Sequence, residues 1–457
     1  MKDMKDQFYY FDIYPKVFLE NTEVTITIQS KSRKFIFSPE KEYTVILREY
    51  NEGNIRNYPE RKNYRDIKVN AKNESEIVFT TSFRGEQQHS VVLMDGEKEI
   101  VELYLYSLHD DMKGRYPYRG DLHVHTCRSD GRQDPATVCA NYRGHGYDFM
   151  VVSDHGRYYP SLEAQDFYKD VDIDLNIVEG EEVHMPYTDV HIVNFGGQYS
   201  VNGLIEGVKE QYKEKGADVK YRSKNGVCPD IMTMDEYTAE IDALAEELKA
   251  PEYINQRSYA TCVWAFNHIR KADGLAIFPH PYWVTGHCIQ VPPEFTDYMM
   301  ETQPFDAFEV LGGERYFEHN GFQTSMYYED RMKGRHYPIV GSTDTHNSLK
   351  SAPGSLICST IVFCDKNERL SLIKGIKDFY SVAVDTIDPS YRVVGDFRFV
   401  RYASFLMENY YPIHDSLCEA EGEFMRMYIY GDKERAKKLL NDIHGEIPDM
   451  IKKYFAN

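Results

Sequence analysis

The stretch RGDLHVHTCRSDG, residues 119–131, opens on charged residues, alternates two histidines with apolar residues and ends in a polar turn. A β-strand repeats its side-chain direction every two residues, so His123 and His125 point to the same side of one strand. Two imidazoles on one face can hold one ion. The Ser-Asp-Gly that follows keeps the carboxylate of Asp130 close in sequence. A single His-x-His pair is weak evidence, and its meaning depends on whether other strands end the same way.

They do. From residue 120 onward seven apolar runs recur: DLHVHT, DFMVVSDH, LNIVEGEEVH, DVHIVNFGG, LAIFPHP, AFEVLGG and YPIVGSTDTH. Near-continuous apolar runs suit strands buried on both faces. Helical stretches such as CVWAFNHIRKA alternate with them, which predicts an α/β domain with a largely parallel sheet. Polar residues gather where the runs end. His123 and His125 close the first, Asp154 and His155 the second, Glu182 and His184 the third. His191 lies inside the fourth, His280 closes the fifth, Glu309 the sixth, and Asp344 with His346 the seventh. In an α/β barrel the C-terminal strand ends converge on one mouth, where active sites are built. Mixed imidazole and carboxylate ligands suit Mn, Fe or Zn. The set exceeds what one four-coordinate ion takes, so two or three divalent transition metals are expected.

Taken in order, DLHVHTCRSDG, VVSDHG, GEEV, HIVNFGG, FPHP and GSTDTHN resemble the motifs of the PHP (polymerase and histidinol phosphatase) superfamily over residues 120–351. The resemblance implies a distorted seven-stranded (β/α)7 barrel with a di- or trinuclear metal centre. It implies that His123, His125, Glu182 and Asp344 bind one metal. His155 and His346, with Asp130, would hold a second, and bridging Glu182, with His191 and His280, a third. Several relatives carry histidine where this chain has Asp130. Glu182 is preferred to Glu181 because the family pattern is Gly-x-Glu after Gly180, and strand alternation turns Glu181 to the opposite face. Asp121 and Asp154 would orient histidine ring nitrogens, which makes Asp154 a candidate catalytic side chain beside Arg157. Arg157 and Arg128 are candidates to clamp an anionic substrate. Tyr282, Trp283 and His287 follow His280 and are expected to line the pocket. His184, His268 and His319 read as ordinary surface or packing histidines, and Cys127, with no paired base, as inert.

The implied chemistry is hydrolysis: a phosphoesterase acting on a small phosphate ester through an activated water. The alternatives are a carboxylic or carbamate ester hydrolase, as in the carbaryl-hydrolase-like branch, and a non-catalytic PHP module. No P-loop, Ser-His-Asp elbow or dinucleotide fingerprint competes.

The rest of the chain of 457 residues frames this domain. Residues 1–115 contain EVTITIQS, EYTVILREY, SEIVFTTSF, HSVVLMDG and IVELYLYSL, short strands whose spacing predicts a β-sandwich-like domain with no metal ligand. Residues 116–355 form the barrel, with an insertion near 200–260 whose segment TMDEYTAEIDALAEELKA has helical spacing and could cap the mouth. Residues 356–457 read as a mixed α/β extension. Its Tyr-, Phe- and Met-rich helix should pack on the barrel or on a second copy of the chain, as in a homo-oligomer. The formal net charge of -20 argues against nucleic acid and anionic membranes as partners. With no apolar leader and eight scattered cysteines, a reducing, cytoplasmic location is expected.

Overall fold

The computed structural model describes residues 5–49, 64–207, 219–285, 288–312, 317–349, 358–386 and 390–457. The chain divides into two compact units: Met1–Tyr116 with Phe397–Leu417 and Gly445–Asn457, and Pro117–Asp396 with Cys418–His444. The C-terminal hundred residues are thus shared between the units, where the sequence reading keeps them as one extension.

The first unit holds a three-stranded and a six-stranded sheet. The small sheet pairs Phe11–Tyr14, Glu23–Ser30 and Glu76–Ser82 in antiparallel register. In Glu23–Ser30 buried residues alternate with exposed or half-buried ones, as a strand covered on one face requires. The large sheet runs Phe455–Ala456, Val17–Leu19, Lys98–Leu108, Gln87–Asp95, Glu42–Glu49, Tyr64–Asn70. Ile26 and Ile28 from the small sheet share one apolar cluster with Val45, Val91, Leu93, Leu103 and Leu105 from the large one. The C-terminal pair Phe455–Ala456 adds a parallel edge to Val17–Leu19.

The second unit is a mixed α/β fold. One sheet has the order Asn176–Val178, Phe149–Val151, Tyr116–Asp121, Cys358–Cys364, Ser381–Asp385, Arg392–Val394. The other has Gly180–Val183, Ile192–Phe195, Leu275–Phe278, Ala307–Leu311, Ile339–Gly341. Six of the seven apolar runs contain strands, and LNIVEGEEVH contributes two, one in each sheet. The first run differs, because the strand Tyr116–Asp121 ends at its first residue and His123 and His125 flank the single bridge at Val124. The expectation of a closed seven-stranded barrel is corrected: among the described residues there are two open sheets and no closed ring. Parallel pairing is also only partial. Ile192–Phe195 runs antiparallel to both neighbours, since the short loop after Gly180–Val183 leaves no room for a crossover.

The two sheets nevertheless meet. Val124 bridges Thr345, and His155 bridges Glu182. At Gly341 the backbone amide donates to Thr360 Oγ1 at 2.9 Å, and a Cβ there would sit 2.6 Å from the Ser359 carbonyl oxygen. Only glycine permits that approach. Helices with clear sequence signals stack beside the second sheet, Gln256–Lys271 against its strands and Met234–Leu248 against that helix. Met234–Leu248 starts with a full capping box from Thr233 and Glu236, and Gln256–Lys271 is capped by Asn255. Within the insertion near 200–260, residues 208–218 lie outside the described residues. No described helix is long and apolar enough to cross a membrane.

Candidate metal centre

The bridges between the two sheets place the strand-end residues around one cavity of ≈ 440 Å3, lined by Asp130, His155, His184, His191, His280, Trp283, Asp344 and His346. Packed against these lining residues is the buried pair from the opening motif. His123 Nε2 and His125 Nε2 each stand 3.3 Å from Glu182 Oε2. Asp344 Oδ1 is 3.3 Å from His123 Nε2 and 2.8 Å from His125 Nε2. On the other side of Glu182, Oε1 lies 2.6 Å from His191 Nδ1 and 3.6 Å from His280 Nε2. At the outer edge Asp130 comes within 3.3 Å of both His155 Nε2 and His346 Nε2.

Two four-residue groups therefore bring ligand atoms within 4.8 Å of one another: His123, His125, Glu182 and Asp344; and His125, Asp130, His155 and His346. The side chain of Glu182 faces this cluster, whereas Glu181 faces away and accepts from Ser200 Oγ at 2.7 Å and the Val201 amide at 2.5 Å. Burial raises the Glu181 carboxyl to about 7.

These donors fit divalent cations. Buried polar atoms normally find partners, and each one left unmade costs about 1–3 kcal/mol. Yet His123 Nε2, His125 Nδ1, His191 Nδ1, His280 Nε2 and both oxygens of Glu182 are buried without a hydrogen-bond partner. Burial opposes charge here, but the surrounding imidazoles hold Glu182 well below the usual carboxylate range. Burial likewise opposes charge on His123, yet Asp344, Glu182 and Glu309 hold its pKa well above the imidazole value. Burial, with the charge of His155, pushes His125 down to about 3. The backbone is strained at two of these positions: φ is 26° at His280 and 49° at Asp344. Non-glycine residues held there cost of order 1–3 kcal/mol, and such sites cluster where function fixes a side chain.

The loop carrying Asp130 curls back on its own strand. Ser129 and Gly131 amides both donate to the Thr126 carbonyl. Gly131 is needed for close approach, because a Cβ would sit 2.8 Å from the His125 carbonyl oxygen. Asp154 secures the same loop. It accepts from the Thr126 amide (2.9 Å), Thr126 Oγ1 (2.7 Å), the Ser129 amide (2.9 Å) and Ser129 Oγ (2.5 Å), and burial raises it to about 6. Asp121 accepts from the His123 and Thr343 amides and from Tyr142 Oη; burial raises it to about 7. In these contacts both acids hold backbone and hydroxyl groups in place, where the sequence reading assigns them to histidine rings.

The expected substrate residues divide. Trp283 lines the cavity, its ring 6.1 Å from His191 and 5.9 Å from His280. Tyr282 instead turns to Met326 and Phe322. Arg128 is held by Glu163 through two hydrogen bonds of 3.0 and 2.6 Å, and neither it nor half-buried Arg157 lines the cavity. His287 lies outside the described residues. Two residues that the sequence places at run ends, but to which it gives no role in the site, belong to the cluster. His184 is in the cavity wall rather than a packing histidine, and Glu309 is buried against His123. The signal for His184 is its two-residue spacing from Glu182, the same rule that pairs His123 with His125.

A buried His/Asp/Glu cluster at the meeting ends of two α/β sheets is the class of site that the geometry defines. No model of a protein family matches the chain, and no curated protein matches it. Solved structures similar to it include a two-domain protein from Bacteroides vulgatus containing a predicted PHP-like metal-dependent phosphoesterase, at 14% identity and TM-score 0.38, covering 59% of this chain and 65% of that one. An amidohydrolase from Chromobacterium violaceum is similar at 18% identity and TM-score 0.31, over 51% of this chain and 89% of that one. Endonuclease Q, in complex with a 27-mer duplex substrate with an abasic lesion at the active site, is similar at 14% identity and TM-score 0.33, over 57% of each chain. The chain spans less than two thirds of the first and last of these proteins. At these scores the likenesses carry no argument about the reaction.

One expectation is corrected. Net charge is taken above to exclude nucleic acid, yet a structure similar to this chain holds a DNA duplex. The charge of a whole chain does not set the potential inside a single cleft.

Proposed function

We propose that the chain is a metal-dependent hydrolase of the PHP type, most specifically a phosphoesterase, whose second unit reads as a distorted, open barrel. The observation that supports it is Glu182. Both its oxygens are buried without a hydrogen-bond partner, with His123 and His125 near one and His191 and His280 near the other. A carboxylate so placed can bridge two cations.

His123, His125, Glu182 and Asp344 would hold one ion, and Glu182, His191 and His280 another. Asp130, His155 and His346 would hold a third. Bound Mn, Fe or Zn would lower the pKa of a water and take up charge on the ester oxygens. The chain's own residues do the rest. Glu182 and Asp344 supply the negative charge that keeps cations in a buried site. Asp154 and Asp121 hold the motif loops that aim His123, His125 and Asp130. Trp283 walls the cavity beside His191 and His280 and excludes water from one side.

The test is a panel of phosphate monoesters, phosphodiesters including oligonucleotides, and carboxyl and carbamate esters, assayed with added Mn. Phosphate or phosphodiester turnover that is lost in His125→Ala is the expected result. Turnover of carboxyl or carbamate esters alone would move the chain to the second reading. No turnover in any arm, with metals bound, would leave a structural module.

A further inference from the structure

His184 leaves the strand Gly180–Val183 two positions after Glu182. Its backbone is clamped on both sides by one buried side chain: the His184 amide donates to Asn202 Oδ1 at 2.9 Å, and Asn202 Nδ2 donates to the His184 carbonyl at 2.6 Å. The imidazole is thereby fixed in the cavity wall, its ring centroid 4.2 Å from that of His191. Its Nε2 lies 2.7 Å from His155 Nδ1.

We propose that His184 is a positioning residue that accepts the Nδ1 proton of His155 and so holds His155 in the tautomer that offers Nε2 to the Asp130 cluster. This rests on the multinuclear reading proposed above.

His155, Glu182 and His184 also bring ligand atoms within 4.8 Å of one another, so shared ligation is the rival reading. The 2.7 Å between His155 Nδ1 and His184 Nε2 has hydrogen-bond geometry, which suits a shared proton. Glu182 Oε2 is as near to His155 Nδ1, at 2.6 Å, but neither Glu182 oxygen has a partner in hydrogen-bond geometry. The His184 imidazole is the neighbour that meets hydrogen-bond geometry, and on this reading both Glu182 oxygens stay available to cations.

The arrangement matches what surrounds the other rings. His346 donates Nδ1 to the Asp344 carbonyl at 2.9 Å and turns Nε2 to Asp130. His123 turns Nδ1 to Glu309 and Nε2 to Glu182 and Asp344. A ligand histidine whose remote nitrogen is engaged has its tautomer and ring plane set, and losing such a partner commonly weakens metal binding 10–100-fold. In His155 the remote partner is His184.

The experiment compares full-length wild type, His184→Leu and His184→Gln. Each is stripped of metal and titrated with Zn or Mn against a competing chelator, and bound metal is counted by elemental analysis. One ion should bind about 10–100-fold more weakly in His184→Leu. His184→Gln, whose Oε1 can accept the same proton, should stay within a few fold of wild type. Wild-type affinity in His184→Leu overturns the proposal. Equal loss in both variants also overturns it, because the ring itself would then be a ligand. A wild type that takes up one ion or none would instead sink the multinuclear reading. In that case 15N chemical shifts of His155 in metal-free protein still decide the contact: Nδ1–H in wild type and a shift toward Nε2–H in His184→Leu are expected, and identical tautomers overturn it.

Discussion

Glu309 Oε2 lies 3.1 Å from His123 Nδ1, and both side chains are completely buried. The contact joins residues 186 positions apart and leaves His123 Nε2 facing Glu182 and Asp344. Glu309 thus engages one nitrogen of the ring and leaves the other to the residues that would hold an ion, an arrangement that would fix the ring and raise its basicity. The Glu309 side chain is itself crowded, since a Cβ at Gly312 would fall 1.9 Å from its Oε1. Glu309→Leu should therefore weaken metal binding about 10–100-fold. Gly312→Ala should act in the same direction by displacing the carboxylate. Calorimetric titration of metal-free protein checks both. Unaltered affinity in a folded Glu309→Leu would show that His123 needs no support.

Asp130 separates ligation from turn chemistry. Its carboxylate is about half exposed, yet both His155 and His346 turn Nε2 toward it. Although burial opposes this, hydrogen bonding to these two rings holds it far below the usual carboxylate range. Asp130→Asn keeps the turn and removes the charge. Elemental analysis should find one ion fewer per chain, or the same ion bound much more weakly, while the set around Glu182 is retained. Unchanged metal content and turnover would reduce Asp130 to a turn residue.

Glu182 should be the most damaging position of all. It is shared by His123, His125, His155, His191 and His280. Wild type loaded with Mn, Fe or Zn is expected to carry at least two ions per chain, and Glu182→Gln to lose more than one. Metal held at about 100 times its Kd adds about 2.7 kcal/mol to stability. Chelation should thus lower the melting temperature of wild type and have little effect on Glu182→Gln. A wild type holding one ion or fewer after loading defeats this prediction.

The cluster was legible because its residues obey two simple rules: two-residue spacing in extended chain, and position at the end of an apolar run. His123, His125, His155, His280 and Asp344 follow them and converge. His184 follows them too, but a histidine next to an obvious carboxylate ligand reads equally well as packing. Glu309 ends a run as a turn acid would, and its partner is remote in sequence. Arg128 looked available because Glu163, which holds it, lies 35 residues away. Strand direction was not legible at all. Buried on both faces, Ile192–Phe195 shows no alternation by which an antiparallel strand could be told from a parallel one. An open pair of sheets and a closed barrel likewise share the same sequence of runs.

The first unit should carry its own acid sensitivity, separate from any metal. His89 lies in the strand Gln87–Asp95, 1% exposed, with Nε2 2.7 Å from Ser107 Oγ. Burial, helped by the charge of Arg65, pushes its pKa down from 6.5 to about 3. Above pH 6.5 the imidazole is neutral in both folded and unfolded chains, and the contribution is constant. As the pH falls from 6.5 toward 3 the unfolded chain binds a proton that the folded chain refuses, so stability is lost. At about 1.36 kcal/mol per pH unit, roughly 2 kcal/mol should be gone by pH 5. Denaturant unfolding of wild type and His89→Gln at pH 7 and pH 5 reads this directly. The variant starts weaker at pH 7, because a tightly packed ring is replaced, but it should lose about 2 kcal/mol less between the two pH values. The same slope in both proteins would mean that the His89 ring is solvated in the folded state, contrary to its place between Phe83 and Ser107.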